Sequence, residues 1–404
     1  MPTTARQNGV SYSLGPLNVN GSGNSRHCEV CGSRLKRNGK TTAGTQRWRC
    51  IDCGASSVRR RADLARRAEL DRFVAWLMGK DSQAEIGPGS GRTFRRSTRW
   101  CWNIEPAPAV TGEIHGQVQM DGIYLGRGWC CLIAIADGHV IGWQWCDTEK
   151  SAAWLALMEA IPAPRAVVID GGSGLASALS RAWPETRIQR CLVHVQRNVR
   201  TYLTLRPRTD AGRALRRISL ALTRLKTTQE AAAWVLVLNQ WYTEHGELIK
   251  ARTYQQGPAG FRPAGVRAGQ AWWYTHDRLR KAYRLMERLA RNGHLFTYLH
   301  PELADIGVDS TTNRIEGGVN THLRALLRTH RGMPPAHAKR AVEWWLYTHT
   351  ENPAAPHTLI RPEHLKPLPR QAPREEPVGP ELLGTALSES EGLWARKGWA
   401  GRPC

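Results

Sequence analysis

The chain has 404 residues, of which 41% are hydrophobic, and a formal net charge of +23. This hydrophobic content argues against wholesale disorder, and the length predicts two or three domains. Because the sequence has no run of about 18 apolar residues and no apolar N-terminal signal region, we expect a cytoplasmic chain without a membrane partner. The positive excess is mostly Arg and favours a polyanionic partner such as nucleic acid, although an Arg-rich codon bias is an alternative.

Composition and hydrophobic periodicity change along the chain and predict its organisation. The N-terminal residues are rich in Gly, Ser and Asn, whereas the C-terminal residues are dense in Pro and lose helical periodicity. The predicted segments are a disordered N-terminus at 1–24, a cysteine module at 25–61, a helical segment at 62–104, the first part of an α/β core at 114–195, an all-helical insertion at 196–300, the last part of the core at 301–350 and a Pro-rich tail at 351–404.

Four cysteines near the N-terminus form two knuckles, each followed by Gly. The knuckles are Cys28-x-x-Cys31-Gly32 and Cys50-x-x-Cys53-Gly54. In a reducing compartment such a pair of knuckles is typical of a zinc ribbon, because four thiolates close a tetrahedral structural site. The pattern therefore predicts one structural Zn²⁺, and a redox pair or a chance arrangement is the alternative.

Basic residues accompany and follow the knuckles. Interleaved with an aromatic ring, they fit phosphate contact and stacking, and a solvated basic face is the alternative. The helical segment at 62–104 breaks at Gly87-Pro88-Gly89, so it is a possible helix-turn-helix whose second helix enters a major groove. The candidate DNA-binding residues are Lys36, Arg37, Lys40, Arg47, Trp48, Arg49, Arg59, Arg60, Arg61, Arg92, Arg95, Arg96 and Arg99.

Two acids follow strand patterns in the predicted core. Residues 117–124 alternate, so Val118 and Met120 share one face and Asp121 points to the other. After a strand pair around an Asp-Gly-His turn and a helix near Glu149, the apolar run 166–169 reads as a strand buried on both faces and ends in Asp170. A carboxylate at the carboxyl end of such a strand lies where open α/β sheets bind ligands.

A third acid, Glu316, lies near the start of a predicted helix whose apolar side carries Ile315 and Val319. Each acid has a structural alternative: Asp121 and Asp170 precede Gly and fit turns, and Asn313-x-x-Glu316 fits a capping box. Together the three carboxylates suit phosphoryl transfer with two Mg²⁺ or Mn²⁺ ions, which prefer oxygen ligands.

The motifs, in this order, resemble those of bacterial insertion-sequence transposases of the Mutator-like superfamily. The resemblance covers roughly residues 25–350, and a helical insertion before the third acid is part of it. The motifs that carry it are Met120-Asp121-Gly122, then Val168-Ile169-Asp170-Gly171-Gly172, then Cys191-x-x-His194, and finally Thr312-Asn313-Arg314-Ile315-Glu316-Gly317.

The resemblance implies an α/β ribonuclease H-like core with a DDE triad of Asp121, Asp170 and Glu316. It also implies that Cys191 and His194 lie near the site and assist, and we place Asn313 and Arg314 beside them. The residue-level alternative for Cys191 and His194 is a strand-end cysteine and a helix-face histidine. Trp272-Trp273 in the insertion could stack on a base, and helix core is the alternative.

The expected function is transposition of the chain's own mobile element. Such an enzyme cleaves phosphodiester bonds at the element's terminal inverted repeats and joins the freed 3′-ends to target DNA. The resemblance also implies a homodimer or larger assembly on double-stranded DNA, associated with the bacterial nucleoid. The alternatives are a non-catalytic zinc-ribbon regulator and a nuclease of the same fold without strand transfer.

Overall fold

The structure is a computed structural model that describes residues 27–366 apart from short gaps. The gaps are at 29, 43, 45, 58–61, 87–89, 127–128, 256–261, 264 and 268. The predicted disordered segment 1–24 and residues 367–404 of the predicted tail lie outside the described residues. The contacts divide the chain into a unit of residues 1–360 and a second unit, 361–404, whose described part contains one short 3₁₀ turn, Pro362–Leu365. Among the described residues, no helix is long and apolar enough to cross a bilayer.

The cysteine module contains a three-stranded antiparallel sheet. Its strands are β1 (Leu35–Lys40), β2 (Gln46–Cys50) and β3 (Ser56–Ser57), in that order across the sheet. Leu35 pairs with Cys50, so the second knuckle begins at the end of β2 beside the start of β1. Such a small sheet buries little apolar surface, and this fits a fold held by metal ligands.

Two helices follow, α1 (Ala62–Met78) and α2 (Gly91–Thr98), and then a 3₁₀ turn at Arg99–Asn103. Their apolar side chains, including Phe73 and Phe94, belong to the same hydrophobic cluster as one face of the central sheet. Inside this cluster Trp100 Nε1 donates a 2.9 Å hydrogen bond to Glu69 Oε2. These helices and the turn therefore share their hydrophobic core with the α/β region.

A five-stranded mixed sheet forms the centre of the first unit. The strands and helices, in chain order, are β4 (Gln117–Gly126), β5 (Trp129–Ala136), β6 (His139–Cys146), α3 (Ser151–Glu159), β7 (Ala166–Ile169), α4 (Ser173–Ala182) and β8 (Arg187–Arg190). Across the sheet the order is β6-β5-β4-β7-β8. The first three strands are antiparallel neighbours, and β7 and β8 run parallel to β4.

The sequence explains the sheet's hairpin and its two covered faces. Asp137 and Gly138 both have positive φ (50° and 87°), as the two-residue turn between β5 and β6 requires. Val118 and Met120 face a cluster with α3 and α4, whereas Ile123 faces the cluster with α1 and the C-terminal helices. The alternation predicted for β4 is confirmed, because its even and odd positions enter different cores.

The insertion at 196–300 was predicted to be all-helical, and this prediction is wrong in one place. The helices are α5 (Leu192–Leu203), α6 (Asp210–Ala221), α7 (Thr228–Lys250) and α8 (Asp277–Arg291), which share a core of their own. Between α7 and α8, however, β9 (Arg252–Tyr254) and β10 (Trp272–Tyr274) form an antiparallel pair. The aromatic and β-branched side chains of these short runs suit a strand pair.

The chain then returns to the sheet through a π-helix at Arg314–Asn320, which continues into α9 (Thr321–Thr329) and is followed by α10 (Pro335–Thr348). The predicted tail begins too early. Leu359 and Ile360 pack against the main hydrophobic cluster, and Tyr347 OH donates to the Ala354 carbonyl at 2.8 Å. Residues 351–360 therefore belong to the first unit, since a few apolar side chains anchor a Pro-rich stretch without periodicity.

Candidate active site

The first two candidate acids lie side by side, where β7 ends against the middle of β4. Met120 of β4 pairs with Ile169 of the parallel strand β7, so Asp121 and Asp170 each follow a paired residue. Ile169 in turn pairs with Arg190 of β8, which places Cys191 next in the row. Parallel strands present their carboxyl ends at one edge, and this gathers the three residues from distant parts of the chain.

Asp121 is a partly buried acid that is surrounded by other polar side chains. Asn320 Nδ2 donates a hydrogen bond of 2.8 Å to Asp121 Oδ2. Burial, and then the charges of Asp170 and Glu316, raise the pKa of Asp121 from 3.8 to about 7, although the Asn320 hydrogen bond opposes this change. The three predicted acids are therefore close enough to disfavour one another's ionisation, which a bound cation would reverse.

Asp170 is held in a tight turn after β7. The Gly172 amide donates to Asp170 Oδ1 at 3.0 Å, and Arg190 Nη2 donates to the Asp170 carbonyl at 2.5 Å. Gly171 has a φ of +98°, and a Cβ at this position would lie 1.6 Å from Arg190 Cζ. Only glycine fits there, because both the backbone angle and the neighbouring guanidinium exclude a side chain.

Glu316 lies in the first turn of the π-helix, and its side chain is oriented by two others. Thr312 Oγ1 donates to Glu316 Oε1 at 2.6 Å, and Arg197 Nη1 lies 3.1 Å from Glu316 Oε2. The alternative of a capping box with Asn313 is wrong, since the Asn313 side chain makes no capping hydrogen bond. A π-helical turn is uncommon and recurs at functional sites.

A fourth acid, Glu149, joins this group and was not among the predicted site residues. It precedes α3, and its carboxylate atoms lie 2.5–2.9 Å from the place that a Cβ on Gly122 would take. Burial, and then the charge of Asp170, raise the pKa of Glu149. The signal in the sequence is the position of Glu149 three residues after the end of β6, where the residue pattern predicts only the start of a helix.

Asn320 is the second residue that sequence reasoning missed. It is 4% exposed, and its Oδ1 atom is buried without a hydrogen-bond partner among the described residues. It follows Glu316 by four residues, so the two side chains lie on the same side of the helix, and this spacing could have identified it. The unsatisfied oxygen beside Asp121 fits a site that receives a further polar group or cation.

The auxiliary residues Asn313 and Arg314 lie at the start of the π-helix, and the polar contacts of Arg314 there are with Asp309. Arg314 Nε lies 2.9 Å from Asp309 Oδ2, and this carboxylate also accepts hydrogen bonds from Gln117 and Gln119 of β4. Asn313 Oδ1 lies 3.1 Å from the place of a Cβ on Gly317. The Arg314 contacts fasten the start of the π-helix to β4, the strand that carries Asp121.

Cys191 and His194 are brought to Glu316. Cys191 is 1% exposed and begins α5, and His194 lies on the first turn of that helix. His194 Nδ1 is 3.3 Å from Glu316 Oε1, and hydrogen bonding to Cys191 is the main cause of a raised His194 pKa. Cys191, His194 and Glu316 each offer one ligand atom within 4.8 Å of the others.

The four knuckle cysteines converge as their spacing predicts. Cys28 Sγ lies 3.5 Å from Cys53 Sγ, Cys31 Sγ lies 3.4 Å from Cys50 Sγ, and all four sulfurs are within 4.8 Å of one another. Gly32 and Gly54 after the knuckles have φ of +77° and +70°. The four thiols can therefore hold one metal ion of the size and softness of Zn²⁺.

The thiols of this cluster differ in acidity. Hydrogen bonds to Ser33 lower the pKa of Cys31 to about 6. The Ala55 amide lowers the pKa of Cys53, but hydrogen bonds with Cys31 and other thiols outweigh this effect and raise it to about 12. Without a cation the four groups cannot all ionise, and a bound divalent ion removes this conflict.

The candidate DNA-binding residues form two exposed groups in the described part of the chain. In the cysteine module, Arg37 pairs with Trp48 across the sheet, and its guanidinium lies 5.9 Å from the Trp48 ring centre. Four exposed arginines, three in α2 and one at the start of the 3₁₀ turn that follows it, line a surface cavity of about 560 Å³. Arg59, Arg60 and Arg61 lie outside the described residues. The candidate basic residues that the structure describes are all exposed: Lys36, Arg37, Lys40, Arg47, Arg49, Arg92, Arg95, Arg96 and Arg99.

Trp272 and Trp273 do not form helix core, which corrects that alternative. They lie in β10 and are half-buried. Arg252 Cζ lies 4.1 Å above the Trp272 ring, and Tyr274 meets the same ring edge-on at 5.2 Å. The cation–π contact with Arg252 therefore holds the Trp272 ring, and Trp273 is held by the pairing of β10 with β9.

Comparison with known proteins shows that part of this chain is similar to a known family. Residues 117–251, from β4 to just beyond α7, match the family model described as "Transposase, Mutator family". The matched segment contains Asp121 and Asp170 and ends before Glu316. The transposase for insertion sequence element IS905 of Lactococcus lactis subsp. lactis is 35% identical over 96 residues, which cover 20% of this chain and 25% of that protein. The chain thus spans about a quarter of the length of the curated relative it matches. These matches confirm the resemblance that the motifs indicate: residues 117–251 are similar to the Mutator family of transposases.

Proposed function

We propose that the chain is a DNA transposase that binds the terminal repeats of its mobile element, cleaves phosphodiester bonds at the element ends and transfers the 3′-ends to target DNA. One observation carries this proposal. Asp121 and Asp170 follow paired residues of neighbouring strands, and the helix that carries Glu316 is hydrogen-bonded to Asp121 through Asn320, so the three carboxylates lie near one another. The charges of Asp170 and Glu316 accordingly help to raise the pKa of Asp121 to about 7. The relation to Mutator-family transposases gives this convergence its chemical context.

We assign the core as ribonuclease H-like. The strand order β6-β5-β4-β7-β8, with three antiparallel strands followed by two parallel ones, supports this assignment. The helices between β8 and the π-helix are then an insertion, and Glu316 comes from the element that returns to the sheet. This topology explains how acids 195 positions apart in sequence, Asp121 and Glu316, meet at one edge.

The site fits divalent cations, since carboxylates that repel one another gain most from a shared cation. Asp121, Asp170 and Glu316 would hold two Mg²⁺ or Mn²⁺ ions, which would supply Lewis-acid activation of the attacking water or 3′-hydroxyl and would neutralise charge at the leaving oxygen. Asn320 orients the Asp121 carboxylate, and Thr312 orients Glu316.

The chain's basic surfaces provide the DNA contacts in this proposal. The zinc ribbon and the exposed arginines of α2 bind the phosphate backbone of the terminal repeats, and α2 reads bases in a helix-turn-helix-like arrangement. A homodimer or larger assembly brings two element ends together, because the reaction joins both ends to one target.

The test uses the full-length chain, Mg²⁺, end-labelled DNA from the element's own termini and an unlabelled target plasmid. We expect cleaved ends and, in addition, labelled ends joined to the plasmid. Cleaved but never joined ends would instead support a nuclease without strand transfer. Tight, sequence-specific binding without any cleavage would support a zinc-ribbon regulator and overturn the proposed enzyme.

A further inference from the structure

The cluster of Cys191, His194 and Glu316 contains ligands that magnesium chemistry does not need. Each residue offers one donor atom, and these atoms lie within 4.8 Å of one another. We propose that the three residues form a second metal site, selective for thiolate-preferring divalent ions of the zinc class, and that Glu316 is shared between this site and the carboxylate site.

The fold fixes two of the three ligands rigidly. Cys191 directly follows β8, and its amide donates to the Ile169 carbonyl of β7 at 2.8 Å. His194 lies three residues later in the first turn of α5, so the helix holds both side chains on one side. Such preorganised ligands on regular elements lose little freedom when a metal binds.

The sulfur environment resembles that of the knuckle site. The Thr312 amide donates to Cys191 Sγ at 3.4 Å, and the Val30 amide donates to Cys28 Sγ at the same distance. Amide hydrogen bonds of this kind stabilise a thiolate, which is the form that binds metal. Thr312 also donates to Glu316 Oε1 at 2.6 Å, so one residue supports two of the ligands.

The imidazole of His194 provides separate support for a bound metal ion at this cluster. His194 Nδ1 is buried, and among the described residues it has no hydrogen bond of good geometry. Glu316 Oε1 lies 3.3 Å from it, close to the separation of two ligands on a tetrahedral zinc ion. A bound ion would give this nitrogen a ligand bond, whereas without the ion it has only the 3.3 Å approach of the Glu316 carboxylate.

The charges and donor types select the ion. A thiolate and a carboxylate neutralise a divalent cation, and a neutral imidazole completes three protein ligands with one position left open. Mg²⁺ prefers oxygen ligands alone, whereas sulfur and nitrogen favour zinc-class ions. If the proposed function holds, zinc bound here engages Glu316 and should inhibit magnesium-dependent cleavage.

The test titrates Co²⁺ into the full-length chain without DNA and follows the thiolate-to-cobalt charge-transfer absorption. The titrations are made in the double variant Asp121→Ala/Asp170→Ala, because these two changes disable the carboxylate site. We expect two equivalents of thiolate-bound Co²⁺ per chain, one in the knuckles and one at Cys191. Cys191→Ser and His194→Gln should each lose only the second equivalent, whereas Cys146→Ser, a cysteine outside both clusters, should keep both.

Two outcomes overturn the proposal: a parent chain that binds one equivalent, or Cys191→Ser that still binds two. His194→Gln leaves the thiol and the sheet contacts intact, so loss of the second equivalent at an unchanged melting temperature separates a ligand role from a folding defect. Because the readout needs no DNA cleavage, failure of the transposase proposal leaves this test valid.

Discussion

Asn320 Nδ2 donates a 2.8 Å hydrogen bond to Asp121 Oδ2, although 199 residues separate the two along the chain. This contact joins the helix that carries Glu316 to the strand that carries Asp121. It also partly offsets the burial that raises the Asp121 pKa. The position of the first acid therefore depends on the same helix as the position of the third.

Asn320→Ala should lower the rate of DNA cleavage by about 10- to 100-fold, because a hydrogen bond to a charged group contributes about 1.5–3 kcal/mol. The measurement is the single-turnover cleavage rate at saturating Mg²⁺. Asn292→Ala, an exposed asparagine at the end of α8, is the control and should cleave like the parent. Equal rates for the parent and Asn320→Ala would mean that Asn320 does not position Asp121.

The raised pKa of Asp121 predicts a pH-dependent stability in the absence of divalent ions. Since the folded pKa of about 7 lies above the ordinary 3.8, the folded chain loses stability as pH rises between these values. Asp121→Asn removes this loss. Its advantage in unfolding free energy over the parent should grow by about 2 kcal/mol between pH 5.5 and pH 8.

Denaturant unfolding in EDTA measures this difference, with Asp81→Asn, an exposed aspartate, as the control. Added Mg²⁺ should reduce the advantage of Asp121→Asn, because only the parent gains a ligand. A pH-independent difference between the variant and the parent would contradict the raised pKa.

Glu149→Gln tests whether the fourth acid takes part. Its carboxylate lies over Gly122 and near Asp170, so we expect cleavage to fall about tenfold or more while DNA binding is unchanged. Glu159→Gln, at the exposed far end of α3, is the matched control. If Glu149→Gln cleaves at the parent rate at every Mg²⁺ concentration, Glu149 has no part in the reaction.

Gly171→Ala tests the packing beneath Asp170. A Cβ there meets Arg190 Cζ at 1.6 Å and sits on a backbone with φ of +98°, so the variant should lose about 2 kcal/mol or more of stability and most cleavage. Gly138→Ala has a similar positive φ (+87°) but open space around the new methyl group. The difference between the two unfolding free energies isolates the contact with Arg190, and equal losses would show that this contact is unimportant.

The four exposed arginines of α2 and of the turn that follows it should bind phosphates. Replacing Arg92, Arg95, Arg96 and Arg99 with Gln should weaken DNA binding and reduce the slope of log affinity against log salt by up to about 3.6, if each contacts one phosphate. The Arg→Lys version keeps the charge and should keep most of the slope. An unchanged slope in the Gln variant would remove α2 from the DNA interface.

The sequence predicts the parts of the site that depend on local pattern. The knuckles, the Asp137-Gly138 turn and the alternation of β4 follow from spacing and residue type alone. The adjacency of Asp121, within β4, and Asp170, just after β7, follows once the two strands are taken as parallel neighbours.

Other features depend on tertiary contacts that no local pattern encodes. The Asn320–Asp121 hydrogen bond and the position of Glu149 over Gly122 need the assembled sheet and helices. Trp272 lies in a strand because it pairs with Tyr254 and packs under Arg252, across a connection that gives no periodic signal. Ile360 joins the main core because tertiary packing overrides the Pro-rich composition around it.

The most direct test of the account is metal-dependent cleavage of labelled element ends by the parent and by Asp121→Ala, Asp170→Ala and Glu316→Ala. The account predicts that the parent cleaves in Mg²⁺, that each variant loses at least about a thousandfold in rate, and that all three still bind the ends. Asp137→Ala, an exposed turn aspartate, should cleave normally. Cleavage by any of the three variants at the parent rate would contradict the assignment of these carboxylates as the catalytic centre.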